Sequence, residues 1–181
     1  RSLTEFQKKY NAKKVQISNA IQTNGMVIDD EWARFLAENR FLVGLSLDGP
    51  KEIHDTYRTK PGGKGSFQRI METVNRFNKY KVEYNILFVV TAYSARHAGK
   101  IYNFFKKHGF RYLQFIPCLD PLGEQPGGHE YSLTPDRYAF FLKTLFDLWY
   151  NDISKGNVIS IRYFDNLVSM AMGYRPEACG M

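Results

Sequence analysis

Cysteine is nearly absent: the 181 residues contain two, Cys118 and Cys179, far apart in the chain. Such a pair excludes the dense disulfide framework of a small secreted domain and makes a reducing, cytoplasmic compartment the default expectation. Proline is limited to 7 residues and glycine to 14, which excludes collagen-like and proline-rich disordered chains. Long apolar runs are also missing. Stretches such as Asn85 to Val90 fall far short of the roughly 20 residues a membrane-spanning helix needs, and the opening residues do not read as a secretory signal. Blocks of like charge are equally absent, since Lys8-Lys9, Lys13-Lys14 and Lys106-Lys107 stand as isolated pairs. Lys and Arg total 25 against 18 Asp and Glu, a formal charge of +7, so anionic partners are favoured without a nucleic-acid surface being marked.

What is present is a core: 44% of residues are hydrophobic and 15% aromatic. The pattern alternates helix and strand. Residues 1 to 13 read as a helix tail, and Val15 to Thr23 as a strand closed by the turn pair Asn24-Gly25. Asp29 and Asp30 offer N-cap chemistry for a helix to Asn39, with Trp32, Phe35 and Leu36 on one face. Phe41 to Leu47 is a nearly continuous apolar run, as in a strand buried on both sides. After Asp48-Gly49-Pro50 a polar, glycine-rich loop is expected through Gly65, with Ser66 capping a helix to Tyr80. Strand Val82 to Thr91, helix Arg96 to His108 and strand Tyr112 to Pro117 follow. Beyond another loop, Thr134-Pro135 starts a long aromatic helix, Pro135 sitting where its missing N–H costs nothing. A short strand at Val158 to Ile161 and a helix from Phe164 to Met172 finish the pattern.

Strands separated by helices imply parallel pairing through right-handed crossovers. With no G-x-G-x-x-G after the first strand, a complete or partial (β/α) barrel fits better than a doubly wound sheet. Arg1 is not an initiator Met, Ser2 to Tyr10 already reads as helix interior, and Ala178 to Met181 stop without a cap. The chain is therefore expected to be a fragment.

In such a barrel, chemistry sits at the carboxyl ends of the strands. Those ends carry Gln22-Thr23-Asn24-Gly25, Ser46-Leu47-Asp48-Gly49, Val90-Thr91 and Pro117-Cys118-Leu119-Asp120-Pro121. Asp and Asn in turns also serve merely to bond their own backbone. No histidine stands at a strand end: His54, His97, His108 and His129 fall in expected loops or helices, which argues against acid-base chemistry at neutral pH. Asp48 and Asp120, with Glu124 nearby, could form a glycosidase-type carboxylate pair. Cys118 lacks a visible His or Asn partner and reads as a structural residue. Cys179, beyond the last helix, could ligate iron or zinc with partners further along.

Several segments carry a family resemblance: Ile21 to Gly25, Val43 to Pro50, His54-Asp55-Thr56-Tyr57-Arg58, Gln114 to Pro121, Ile161 to Asp165, and Pro176 to Met181. In order and over essentially the whole chain, they resemble anaerobic sulfatase-maturating enzymes, which are radical S-adenosylmethionine (SAM) proteins with a C-terminal SPASM extension. The resemblance implies a partial (β/α) barrel of the radical SAM type, lacking its first strands. Residues 1–155 would be its central part, and 156–181 the connection to a truncated auxiliary-cluster domain. It also implies a 4Fe-4S cluster that chelates SAM, and two auxiliary 4Fe-4S clusters. A 5′-deoxyadenosyl radical would convert a Cys or Ser of a sulfatase polypeptide to Cα-formylglycine, with electrons from a donor such as a flavodoxin or ferredoxin.

Carried over residue by residue, Ser46 and Asp48 would contact SAM at the end of their strand. Arg58 would meet its carboxylate, for which a guanidinium fork is well shaped. The backbone of Leu119 would hold the adenine, Gln22 and Asn24 would line the peptide side, and Cys179 would be the first ligand of an auxiliary cluster. The family's three-cysteine loop and Gly-Gly-Glu strand are expected before Arg1, and its remaining cluster cysteines and general-base Asp after Met181. No catalytic residue is therefore expected within this chain, and alone it should be inactive. The alternatives are another SPASM-type peptide maturase, a barrel hydrolase using Asp48 and Asp120, and a basic binding module without catalysis. Neither nucleic acid nor membrane is an expected partner.

Overall fold

A computed structural model describes residues 2–177. Helix α1 (Ser2–Tyr10) leads to strand β1 (Ala20–Thr23), helix α2 (Asp30–Glu38) and strand β2 (Leu42–Ser46). Helices α3 (Lys51–Tyr57) and α4 (Phe67–Tyr80) precede strand β3 (Glu83–Val90). A 3-10 turn at Ser94–His97 runs into α5 (Ala98–Lys107), followed by β4 (Tyr112–Pro117), α6 (Pro135–Ile153), β5 (Ser160–Ile161) and α7 (Arg162–Ala171). All adjacent strands pair parallel, and the sheet order β1-β2-β3-β4-β5 is the chain order. A doubly wound sheet would reverse direction at a switch point; this one lays each strand beside the last, as staves of a (β/α) barrel do. The expected α/β class and parallel partial barrel are what the structure shows.

Strand periodicity sorts the two faces. Val43, Leu45, Ile86, Phe88, Leu113 and Phe115 point to the helices and are buried. Against them pack Leu36 of α2, Ile70, Val74 and Phe77 of α4, Ile101 and Phe105 of α5, and Phe141, Leu145 and Trp149 of α6. The spacing of these helix residues is the three-to-four step that keeps one helical stripe inward. Phe88 contacts Phe105, Phe115 and Phe141 at ring-centroid distances of 6.1, 5.3 and 6.4 Å. Of the α6 aromatics Phe141 and Trp149 are core, as the sequence implied, whereas Phe140, Phe146 and Tyr150 are exposed. The opposite face carries Gln22, Ser46, Asn85 and Gln114, none of them fully buried.

Three local expectations are corrected. The first strand is Ala20–Thr23 rather than Val15 to Thr23. The Asn11 side chain accepts from Val15 N–H at 2.8 Å and donates to Val15 C=O at 2.7 Å, so the backbone at that position is occupied locally and cannot join a ladder. The loop expected through Gly65 contains α3, launched by Pro50 at its N-cap. Ser66 does not cap α4. Its hydroxyl is directed elsewhere, and the Phe67 N–H is taken instead by Asp55 Oδ1 at 2.9 Å. Gly65 permits that contact, because a Cβ there would overlap the Asp55 carboxyl group. The other caps behave as read: Asp29 accepts from Trp32 N–H at 2.8 Å and Thr134 from Arg137 N–H at 3.4 Å, with Pro135 in the first turn.

Candidate functional site

The carboxyl end of β2 is where polar groups converge. Asp48, buried just past the strand, accepts Val89 N–H on Oδ1 at 2.9 Å, extending the ladder towards β3 with a side chain. Its carboxylate also holds the Arg58 guanidinium: Nε donates to Oδ2, and Nη2 lies 3.4 Å from Oδ1. Arg58 stands at the C-cap of α3, so α3 is the element that brings it back over β2.

A second connection closes the circuit. His54, fully buried in α3, accepts the Asp48 backbone N–H on Nδ1 at 3.0 Å. Its Nε2 lies 2.9 Å from Ser66 Oγ, and that hydroxyl donates to the Arg58 carbonyl at 2.9 Å. Ser66 has one hydrogen and gives it to Arg58, so it accepts from His54 Nε2–H; one neutral tautomer satisfies every partner. Burial pushes the His54 pKa from 6.5 down to about 4; the nearby Asp48 carboxylate opposes the shift and Arg58 adds to it. The expectation that no histidine serves a strand end is thus corrected in space: His54 arrives there through a helix the sequence concealed.

Arg58 and Asp48 line a cavity of about 400 Å³ together with Tyr57, Thr91, Cys118 and Tyr131. The loop after β4 is pinned over it. Ala92 N–H donates to Tyr131 C=O at 3.0 Å, and Asp120 accepts from Ser132 Oγ and, at 2.8 Å, from Gly127 N–H. These bonds, Ser132 foremost, lower the Asp120 pKa. Burial, then Asp120 and Asp48, raise that of Cys118, so its thiol is protonated at neutral pH and no nucleophile. Another cavity, about 810 Å³, lies at the amino ends of the strands around Glu83, Arg111, Tyr112 and Arg162, away from this convergence.

The structure thus brings Asp48 and Arg58 into direct contact. Ser46, half-buried two residues before Asp48, shares its sheet face with Gln22, which pairs with Gly44. Gly44 makes this face close-packed: a Cβ there would meet Leu87 Cδ1 at 2.7 Å and Gln22 Cγ at 3.3 Å. Asn24 uses its Oδ1 on Met26 N–H at 3.1 Å, forming its own turn as Asn in such a pair commonly does. Leu119, 81% exposed, follows Cys118 beside the cavity. Cys179 lies outside the described residues. A hydrolase pairing Asp48 with Asp120 does not fit, because each carboxylate is engaged by its own neighbours. Sequence reasoning misses His54 and Ser66 because neither looks unusual there. Asn85 and Gln114 do carry a signal, as polar residues alternating within otherwise apolar strands.

Residues 2–105 match the model of the Radical SAM superfamily. The chain belongs to that superfamily. It is 53% identical over 181 residues to a cysteine-type anaerobic sulfatase-maturating enzyme of Clostridium novyi, covering 100% of this chain and 48% of that protein. A serine-type counterpart from Bacteroides thetaiotaomicron is 38% identical over 192 residues, covering 98% and 45%. A solved structure, native anSMEcpe with bound AdoMet and Kp18Cys peptide, superposes with a TM-score of 0.97 at 52% identity, covering 99% of this chain and 50% of that one. The chain spans about half the length of the curated relatives it matches. Among the described residues of this radical SAM chain, no group of three or more His, Cys, Asp or Glu could hold a metal ion, so they do not fit an iron-sulfur cluster. No helix among them is long and apolar enough to cross a membrane.

Proposed function

We propose that this chain is the central part of a radical SAM oxidoreductase that converts a Cys or Ser of a sulfatase polypeptide to Cα-formylglycine. The observation that carries the proposal is 53% identity to a cysteine-type sulfatase-maturating enzyme across the whole chain. Identity to the serine-type relative is 38%, which favours a cysteine substrate.

The residues present fit SAM. A guanidinium aligned by a buried carboxylate and opening on a 400 Å³ cavity suits the carboxylate end of an amino acid, and the walls offer apolar surface for the remainder. Arg58 binds that carboxylate while Asp48 orients Arg58. Ser46 contributes a hydroxyl from β2, and the backbone of Leu119 meets the adenine. Gln22 and Asn24 face the substrate peptide. When bound, SAM supplies the hydrogen-abstracting chemistry; this chain's residues bind, orient and shield. The ligands of the iron-sulfur clusters, Cys179 apart, we assign to the rest of the protein.

We assign residues 1–155 to the central barrel and 156–181 to its connection with an auxiliary-cluster domain. The working compartment is the cytoplasm, and the electron donor a flavodoxin or ferredoxin, whose acidity the +7 charge complements.

The test is anaerobic reconstitution of the full-length protein with iron and sulfide, then SAM, reductant and a sulfatase-motif peptide. Release of 5′-deoxyadenosine with an aldehyde in place of the cysteine thiol supports the proposal. Turnover of SAM with the peptide unchanged points to another SPASM-type peptide maturase.

A further inference from the structure

We propose that His54 is a positioning residue that sets the Arg58 guanidinium for recognition of the carboxylate of the bound amino-acid group. This rests on the assignment of Arg58 to the SAM carboxylate made above. Arg58 is held at two points. Asp48 fixes its guanidinium, and Ser66 fixes its carbonyl at 2.9 Å. Both holds lead back to one imidazole: Nδ1 accepts from Asp48 N–H at 3.0 Å and Nε2 donates to Ser66 Oγ at 2.9 Å. The result is a closed ring of hydrogen bonds running His54, Asp48, Arg58, Ser66 and back to His54. Opening it at His54 removes the side-chain hold on the Asp48 turn and the donor that orients Ser66 Oγ. Backbone bonds from Ser66 N–H to the Arg58 carbonyl and from Arg58 N–H to the His54 carbonyl, both 3.1 Å, remain. The guanidinium therefore loses alignment through the Asp48 carboxylate, although neither of its own bonds is cut.

Histidine suits this place for a chemical reason. The ring must accept on one side and donate on the other, within a fully buried space, and a neutral imidazole does both rigidly. Its ring is held by packing as well, edge-on to Phe67 at 5.9 Å. The charged groups facing it are Asp48, Arg58 and Asp55. Asp55, the next residue, is occupied in capping α4 and in an ion pair with Lys51 at 3.1 Å, so it cannot replace His54 in the ring.

The experiment compares two ligands on the reconstituted full-length protein: SAM, and decarboxylated SAM, which keeps the sulfonium, amine and adenosine but lacks the carboxylate. Wild type should prefer SAM, and R58A should abolish the preference. H54A should weaken SAM binding by about tenfold, leave decarboxylated SAM unchanged, and add nothing to R58A in the double variant. H54N, whose amide oxygen can accept from Asp48 N–H, should recover part of the SAM affinity. If H54A does not fold, H54N and H54Q carry the same comparison with intermediate losses confined to SAM. Equal weakening of both ligands, or unaltered binding with only a lower melting temperature, overturns the role of His54. A wild-type protein that does not distinguish the ligands overturns instead the assignment of Arg58, so the two failures are separable.

Discussion

Asp48 binds with its side chain and its backbone N–H alike: its carboxylate holds Arg58 and Val89 N–H, and its own N–H is held by His54. D48N replaces one acceptor with a donor, leaving either Arg58 or Val89 facing an N–H. We expect a loss of about 1–3 kcal/mol of stability in urea titrations, together with weakened SAM binding. His54 predicts a pH dependence. Its pKa is about 4 in the fold against 6.5 ordinarily, so between those values the unfolded chain holds the extra proton. Its contribution is complete above about pH 6.5 and is lost as pH falls towards about 4, reaching about 3 kcal/mol. Urea titrations of wild type and H54Q at about pH 7 and about pH 5 check this: the variant should show a shallower loss on acidification. Ser46 and Asp48 were legible as polar groups because hydrogen-bonding residues past an apolar run mark a strand end, whereas Arg58 was offered by the family resemblance alone. His54 was not legible, because its part depends on α3, a short polar stretch with no apolar stripe to announce it.

At the scale of elements, capping chemistry decides where helices begin, and default capping rules misled at one of them. A Ser before an apolar run reads as an N-cap, yet Ser66 is drawn to His54 and Arg58 while Asp55 supplies the cap from the preceding helix. D55A should therefore cost about 1 kcal/mol in α4 stability, seen as faster amide exchange at Phe67 and the residues after it. S66A should leave that exchange unchanged and lower SAM affinity instead. Gly65 is tied to the same contact, since any side chain there displaces the Asp55 carboxylate. Strand β1 was overestimated for a related reason: Val15 and Ile17 carry the β-branched pattern of a strand, but Asn11 bonds the backbone first.

For the whole molecule, alternation of strand and helix sufficed to specify a parallel sheet. Its order followed because each strand settles beside its predecessor after a helical crossover. What the sequence could not convey is distance. Asp48 and Asp120 looked like a catalytic pair until each was seen engaged by other partners. At one margin of the sheet, β1 is paired only with β2 among the described residues, and Ile21 is 40% exposed. Open edges recruit other chains, so I21K should reduce concentration-dependent association of the 181-residue chain in sedimentation velocity. Sulfatase maturation through SAM held by Arg58 is tested by mass spectrometry of a sulfatase-motif cysteine peptide after anaerobic incubation with the reconstituted full-length protein, SAM and reductant, beside its R58A variant. Wild type should convert the cysteine to formylglycine with release of 5′-deoxyadenosine, and R58A should do neither. An unmodified peptide with wild type, or full conversion by R58A, would contradict it.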